Sequence, residues 1–290
     1  MDTLLQQLIA GLSAGGIYAS LALALVMIHK ATHLVNFAQG EMAMFTTYIA
    51  WSLIDSGIPY WWAFLITVLT GFGIGILIER MVIRPLEYAP VLSVVVVFIG
   101  LLVIFNSVAG WFFGYTIKPF PSPFPTGASF MGHLATSHQA GAIGVTLVVL
   151  AVVYAFFRFT PVGLAMRAAA QNPASSRLVG IRVGSMLALG WGLAAAIGTV
   201  SGLMVAPVVF LDPNMMSGVL IYAFAAALLG GINSPGGAVI GGFTVGVLEN
   251  LVGAYLIGNE LKLSMALLLI LGVLVVQPTG LFGKTLVERV

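Results

Sequence analysis

Only a few side chains in this sequence can do chemistry, because 7% of the 290 residues are charged and 60% are hydrophobic. Asn36, Gln39 and Glu41 stand in the run Asn36-Phe-Ala-Gln-Gly-Glu41, and Asn106, Asn233, Glu249 and Asn250 punctuate later apolar stretches. A carboxylate at membrane depth faces a cavity or a partner, since hydrocarbon offers it neither water nor charge. For each Asn two readings stand: an interhelical hydrogen bond, or the lining of a path for a zwitterion. The run from Asn36 also reads in two ways. As a helix start, Asn36 is the N-cap, Gln39 occupies N3 as in a capping box, and Glu41 favours the positive helix end. As part of a path, the same helix start lies near the inner mouth and offers N–H groups to a substrate carboxylate. Phe37 then supplies an apolar wall and Gly40 supplies room.

Catalytic constellations do not emerge. Zero cysteines exclude disulfides, thiolate metal sites and a cysteine nucleophile. His29, His33, His133 and His138 have no metal-ligand spacing on one helix face. Ser201 and Ser234 have no histidine at membrane depth to act as base. Gly280-Leu-Phe-Gly-Lys-Thr285 carries the tail of a phosphate-binding loop, but Pro278 stands where that motif needs its first glycine. The expectation is a protein that is not an enzyme and holds no cofactor or metal.

A second chemistry-bearing region is basic. Arg158, Arg167, Arg177 and Arg182 fall between Phe157 and Gly184 with no acidic residue among them. Beside apolar spans, so dense a basic loop reads as cytoplasmic. Asn172 followed by Pro173 predicts an N-cap and first helical residue, and Gly180 predicts the C′ position. Between them Ala174, Leu178, Val179 and then Ile181 offer an apolar edge while Arg177 points elsewhere. This is a short helix built to dock in a partner's socket, or else to lie on anionic lipid.

The elements that must position these residues are membrane spans, for which about 20 apolar residues suffice. Mean hydropathy is +1.10, and a soluble domain would carry about 25% charged residues. Apolar segments run over 4–28, 36–54, 61–78, 91–109, 139–157, 183–211 and 263–282. Between them, 213–248 is uncharged and about 54 Å long as one helix, too long for one pass. Gly230-Gly-Ile-Asn-Ser-Pro-Gly-Gly237 breaks it, either as a loop between passes or as a re-entrant tip. The fold class is therefore all-α: a polytopic integral membrane protein with nine hydrophobic segments and seven to nine crossings. One transmembrane domain covers 1–290, with the basic loop at about 158–183.

Orientation follows from lysine and arginine. Placing Lys30, Arg80, Arg84, the four loop arginines, Lys284 and Arg289 inside leaves only Lys118 and Lys262 of the eleven outside. The N-terminus is then outside and the C-terminus cytoplasmic. Small residues four apart occur at Gly11/Gly15, Gly71/Gly75, Gly198/Gly202, Gly237/Gly241 and Gly242/Gly246. Such pairs bring helix backbones close in lipid, either within one subunit or against a second. Nothing in the charge pattern points to nucleic acid.

A membrane subunit with a cytoplasmic docking helix and no energy source of its own has the architecture of an ABC importer permease. Asn36-Phe-Ala-Gln-Gly-Glu41 resembles the signature of the LivH-like permeases of branched-chain amino acid importers. Glu79-Arg-Met-Val-Ile-Arg-Pro-Leu86 is similar to that family's third-span exit. Arg167-Ala-Ala-Ala-Gln-Asn-Pro with Leu-Val-Gly-Ile181 resembles its ATPase-coupling loop, and Ala223 to Ala238 resembles its Gly-rich late segment. The loop lacks the Glu that precedes the paired alanines in ABC importers generally. The resemblance implies a permease subunit in a bacterial inner membrane that passes branched-chain or other neutral amino acids. Its implied partners are a second paralogous permease, two cytoplasmic ATPases and a periplasmic binding protein. Substrate-path candidates are Asn36, Phe37, Gln39, Gly40, Glu41, Asn106, Asn233 and Glu249. Coupling candidates are Arg167, Gln171, Asn172, Arg177, Leu178 and Gly180. Urea, amides or small organic acids are the alternative substrates, and a stand-alone secondary carrier is the alternative class.

Overall fold

A computed structural model describes residues 2–32, 34–87, 89–125, 129–130 and 134–283. Lys284, Arg289, His33 and His133 lie outside the described residues. Eleven α-helices are present among them: α1 (Asp2–Thr32), α2 (Gln39–Asp55), α3 (Tyr60–Ile78), α4 (Val91–Phe113), α5 (Ser137–Phe159), α6 (Pro161–Gln171), α7 (Pro173–Leu178), α8 (Val183–Val209), α9 (Met216–Gly230), α10 (Pro235–Val252) and α11 (Lys262–Val276). Short π-helical turns extend α3 over Glu79–Ile83 and α10 over Gly253–Ile257. A two-residue antiparallel ladder, β1 (Ser129–Phe130) with β2 (Ala135–Thr136), sits in the proline-rich loop. Seven of the helical segments are long and apolar enough to cross a membrane. α2 and α9, at 17 and 15 residues, are shorter than the roughly 20 residues a bilayer core requires.

The chain divides into two compact units, one of 1–26, 121–146 and 217–290, the other of 27–120 and 147–216. The second unit is arranged about α8, which is about 40 Å long at 1.5 Å per residue. Its glycines remove side-chain bulk where neighbours cross. A Cβ on Gly202 would lie 2.9 Å from the Ala43 carbonyl oxygen, and one on Gly75 of α3 would lie 2.9 Å from Gly192 Cα. Gly71 of α3 meets Thr199 in the same way. α3 therefore runs antiparallel to α8. α2 runs parallel to it, with Gln39 beside Ala194 and Gly198 and Thr47 beside Gly202.

By that register α2 begins roughly 20 Å along α8, half-way down the unit. Its cap differs from the expected one: the helix boundary is Ala38, with no side-chain cap bond. Asn36 spends its carboxamide on the preceding turn, accepting from Ala38 N–H (3.0 Å) and donating to Gln39 Oε1 (3.3 Å). Gln39 is thus the first helical residue, not N3 of a capping box.

Charge marks the two ends of this unit. Arg84 donates to the Gly184 carbonyl (2.7 Å) at the start of α8. Just past its end, where Phe210 adopts φ +66, Leu211 and Lys118 exchange both backbone hydrogen bonds at 2.9 Å. Lys118 also lies over the Trp51 ring. The arginine-rich loop and Lys118 are separated by the length of α8.

In the first unit, Gly11 and Gly15 of α1 interlock with Gly242 and Gly246 of α10. A Cβ on Gly11 would lie 2.8 Å from Val247 Cα, and one on Gly15 would lie 2.9 Å from Phe243 Cα. Gly237 and Gly241 bring α10 against Gly230 and Ala226 of α9. All five small-residue pairs are therefore consumed by helix contacts within the chain. The α9–α10 turn uses Gly231 at φ +104, then Ser234, whose Oγ accepts from Gly237 N–H (3.1 Å). α11 stops at Val276 rather than Phe282, because Gln277 and Pro278 lead into a turn at Gly280 (φ +74). The residues after that turn bond back to α9: Leu281 N–H donates to the Leu229 carbonyl (2.8 Å) and Phe282 N–H to that of Gly230 (3.1 Å).

Candidate functional site

Glu41 enters from the first turn of α2 and is 5% exposed. Among the described residues it receives one hydrogen bond, from Asn106 Nδ2 of α4 at 3.4 Å. The same nitrogen donates to the Pro213 carbonyl (2.8 Å) and to Asn214 Oδ1 (3.2 Å). Three elements meet here: the start of α2, α4, and the Asp212–Asn214 turn that follows α8. The turn is held by Asp212, whose carboxylate accepts from Asn214 N–H (2.7 Å). Aromatic pairs keep α2 against α4, with Phe45 edge-on to Phe105 and Tyr48 stacked on Phe113. Gln39, fully buried, turns the other way and donates to the Ala194 carbonyl of α8 (2.9 Å). Asn36 and Gly40 are buried as well, whereas Phe37 is 38% exposed.

A second buried carboxylate, Glu249 of α10, lies in the first unit. Tyr18 of α1 donates its hydroxyl to Glu249 Oε2 at 2.7 Å, and Tyr222 of α9 stacks on Tyr18 at 4.9 Å between centroids. Asn250 bonds back to its own helix at the Gly246 carbonyl (3.0 Å). Asn233 is an exposed residue of the α9–α10 turn.

The basic loop holds two helices where the Asn172 cap and Gly180 predict one. Thr160 caps α6 by accepting from Gly163 N–H (3.0 Å), with Pro161 as first residue. Met166 and Ala169 bury that helix's inner face. Asn172 then caps α7 by accepting from Ser175 N–H (2.9 Å). α7 is six residues long and ends before Gly180, which takes φ +83. Arg167, Gln171, Asn172, Arg177, Leu178 and Gly180 are all exposed. Leu178 and Val179 are 88% and 75% exposed, an apolar tip without cover from the chain's described residues. Arg177 pairs with Glu87 (3.4 Å). Arg84 grips the buried Glu79 at the π-helical exit of α3 (3.1 Å).

A sequence-family profile described as "Branched-chain amino acid transport system / permease component" matches residues 7–276. The chain belongs to this family. The permease is 31% identical to the high-affinity branched-chain amino acid transport system permease protein LivH of Escherichia coli K12, over 99% of this chain and 97% of that one. It is also 31% identical to BraD of Pseudomonas aeruginosa, over 99% and 98%. A probable branched-chain amino acid transport permease, LivH of Methanocaldococcus jannaschii, is 27% identical over 91% and 87%.

Of the residues expected along a path, the permease brings together Glu41 and Asn106, and Asn36, Gln39 and Gly40 are buried in the same unit. Asn233 and Glu249 belong to the other unit. Sequence reasoning missed Pro213 and Asn214, which complete the Glu41 cluster, and Tyr18, which bonds Glu249. Nothing in spacing could single out Tyr18, 231 residues from its partner. The Thr160-Pro161 pair, by contrast, carries the same helix-start signal as Asn172-Pro173 and was available for α6.

Proposed function

We propose that this permease is the membrane-spanning subunit of an ATP-binding-cassette importer for branched-chain or other neutral amino acids. The observation that carries the reading is 31% identity, over nearly the full length of both chains, to LivH and BraD. In this reading the whole chain, 1–290, works as one transmembrane permease domain in the bacterial inner membrane. It pairs with a second, paralogous permease and two cytoplasmic ATPases, and takes substrate from a periplasmic binding protein. The N-terminus is outside and the C-terminus cytoplasmic, as the lysine and arginine distribution favours.

ATP is hydrolysed by the partner subunits, and this chain contributes no catalytic group. α7 is the coupling element. Its uncovered Leu178 and Val179 suit an apolar socket on an ATPase, with Arg167, Gln171, Asn172 and Arg177 around it and Gly180 setting the turn. The path runs past Glu41 and Asn106, with Phe37 beside it. The test is uptake of labelled L-leucine by cells carrying the complete importer and by cells lacking this chain alone. Uptake is expected only with the chain present and with an ATPase competent for hydrolysis. Urea or an organic acid taken up in place of leucine would overturn the substrate assignment. Uptake by the purified chain alone would overturn the importer assignment.

A further inference from the structure

Three acceptor oxygens converge on one amide nitrogen in this molecule. Asn106 Nδ2 lies 2.8 Å from the Pro213 carbonyl oxygen, 3.2 Å from Asn214 Oδ1 and 3.4 Å from Glu41 Oε2. A carboxamide nitrogen carries two hydrogens, so three acceptors share two donors. The longest of the three contacts falls on the only charged member. Glu41 is 5% exposed, and among the described residues no cationic side chain forms an ion pair with it. A buried carboxylate short of donors and without a counter-charge is an expensive arrangement in a membrane protein, and one that a bound cation would relieve.

We propose that the Glu41, Pro213 and Asn214 oxygens form a recognition site for the primary ammonium group of the transported zwitterion. An ammonium supplies three hydrogens in a compact, rotatable cluster. It would match the three acceptors one for one and bring the positive charge that Glu41 lacks. Asn106 bridges the three oxygens and gives way to the ligand. It is half-exposed and Asn214 is exposed, so the cluster is reachable from the Lys118 end of the unit. A ligand carboxylate is disfavoured at the same position, because the atoms aimed at it are acceptors and one of them is anionic. This inference rests on the amino-acid reading above and adds which end of the substrate the permease holds.

The test separates the two ends of leucine. Isoamylamine keeps leucine's side chain and ammonium but lacks the carboxylate; isocaproate keeps the side chain and carboxylate but lacks the ammonium. Each is titrated against the purified permease assembled with its membrane and ATPase partners, without binding protein, and the thermal midpoint is followed as a binding readout. Isoamylamine and L-leucine are expected to raise the midpoint and isocaproate to leave it unchanged. Glu41→Gln is expected to weaken the amine by about tenfold or more, the scale of a hydrogen bond to a charged group. Asn214→Asp adds a second negative charge to the trio and is expected to tighten it, which keeps the test decisive where Glu41→Gln does not assemble. Equal shifts by isocaproate and isoamylamine, or no tightening in Asn214→Asp, would overturn the site. If the amine shifts the midpoint as expected but the intact importer takes up no leucine, the substrate assignment fails and the ammonium site stands.

Discussion

Three carboxylates are buried among the described residues: Glu79 is paired with Arg84, and the other two, Glu249 and Glu41, are treated in opposite ways. Glu249 meets a phenol: Tyr18 donates to it at 2.7 Å, and Tyr222 closes over Tyr18. Glu41 meets acceptors: its one donor, Asn106, is 3.4 Å away and divided between two other oxygens. The first is a finished hydrogen bond between α1 and α10, the same helices that Gly11, Gly15, Gly242 and Gly246 bring into contact. The second is an unfinished one. Burial is common to both carboxylates; the balance of donors and acceptors around each is what separates them.

The largest effect should come from the unfinished site. Glu41→Gln is expected to reduce leucine uptake by about tenfold or more while assembly and thermal midpoint stay near wild type. A collapse of assembly instead would put Glu41 in the same structural class as Glu249. The finished site should answer in stability. Tyr18→Phe orphans a buried carboxylate and is expected to cost about 1–3 kcal/mol, read in the thermal midpoint, with the leucine dependence of transport unchanged. Removing both partners in Tyr18→Phe/Glu249→Met should recover most of that loss, because replacing both ends of a buried bond with apolar groups of similar shape is close to neutral. If the double variant stays as unstable as the single, Glu249 has a role beyond this pair.

Smaller effects separate coupling from packing. The Arg177–Glu87 pair is solvent-exposed on both sides, so Arg177→Glu should shift stability by no more than about 1 kcal/mol. It should nonetheless lower leucine-stimulated ATP hydrolysis, and wild-type coupling in this variant would leave α7 as a helix resting on lipid. Last, the chain has no cysteine, so single thiols report topology without perturbing function. Ser175→Cys, on the exposed face of α7, should label from the cytoplasm. Ile117→Cys, beside Lys118, should label from outside. Ser175 is the position to use because its neighbour Ser176 is buried. The reverse pattern would place the Glu41 cluster toward the cytoplasm.

Much of this fold is legible in the sequence because lipid imposes a one-dimensional rule. Apolar length predicts α1, α3, α4, α5 and α8 to within a few residues, and glycine spacing predicts which helix faces approach. What the sequence conceals is depth. The run at Asn36 carries every local sign of a helix start, but only the pairing of Gln39 with Ala194 shows that this start lies half-way along α8. The cap is concealed for a related reason: Asn36 satisfies a turn, and the helix boundary falls on Ala38, which has no capping side chain. The candidate site is half legible. Glu41 and Asn106 stand out as polar residues in apolar surroundings. Pro213 and Asn214 read as an ordinary turn after a span, and their oxygens gain meaning only from what lies opposite.

The contact between the chain's last described residues and the end of α9 sets a timetable for biogenesis. Leu229 and Gly230 present carbonyls that are claimed by Leu281 and Phe282, roughly fifty residues downstream. At about 5–20 residues per second, α9 leaves the ribosome roughly 3–10 s before those donors exist. Until then those two carbonyls lack the donors that the finished fold gives them. The α9–α10 hairpin reaches its final hydrogen bonding only once residues 281–282 have been made, so a downstream segment completes an upstream helix end.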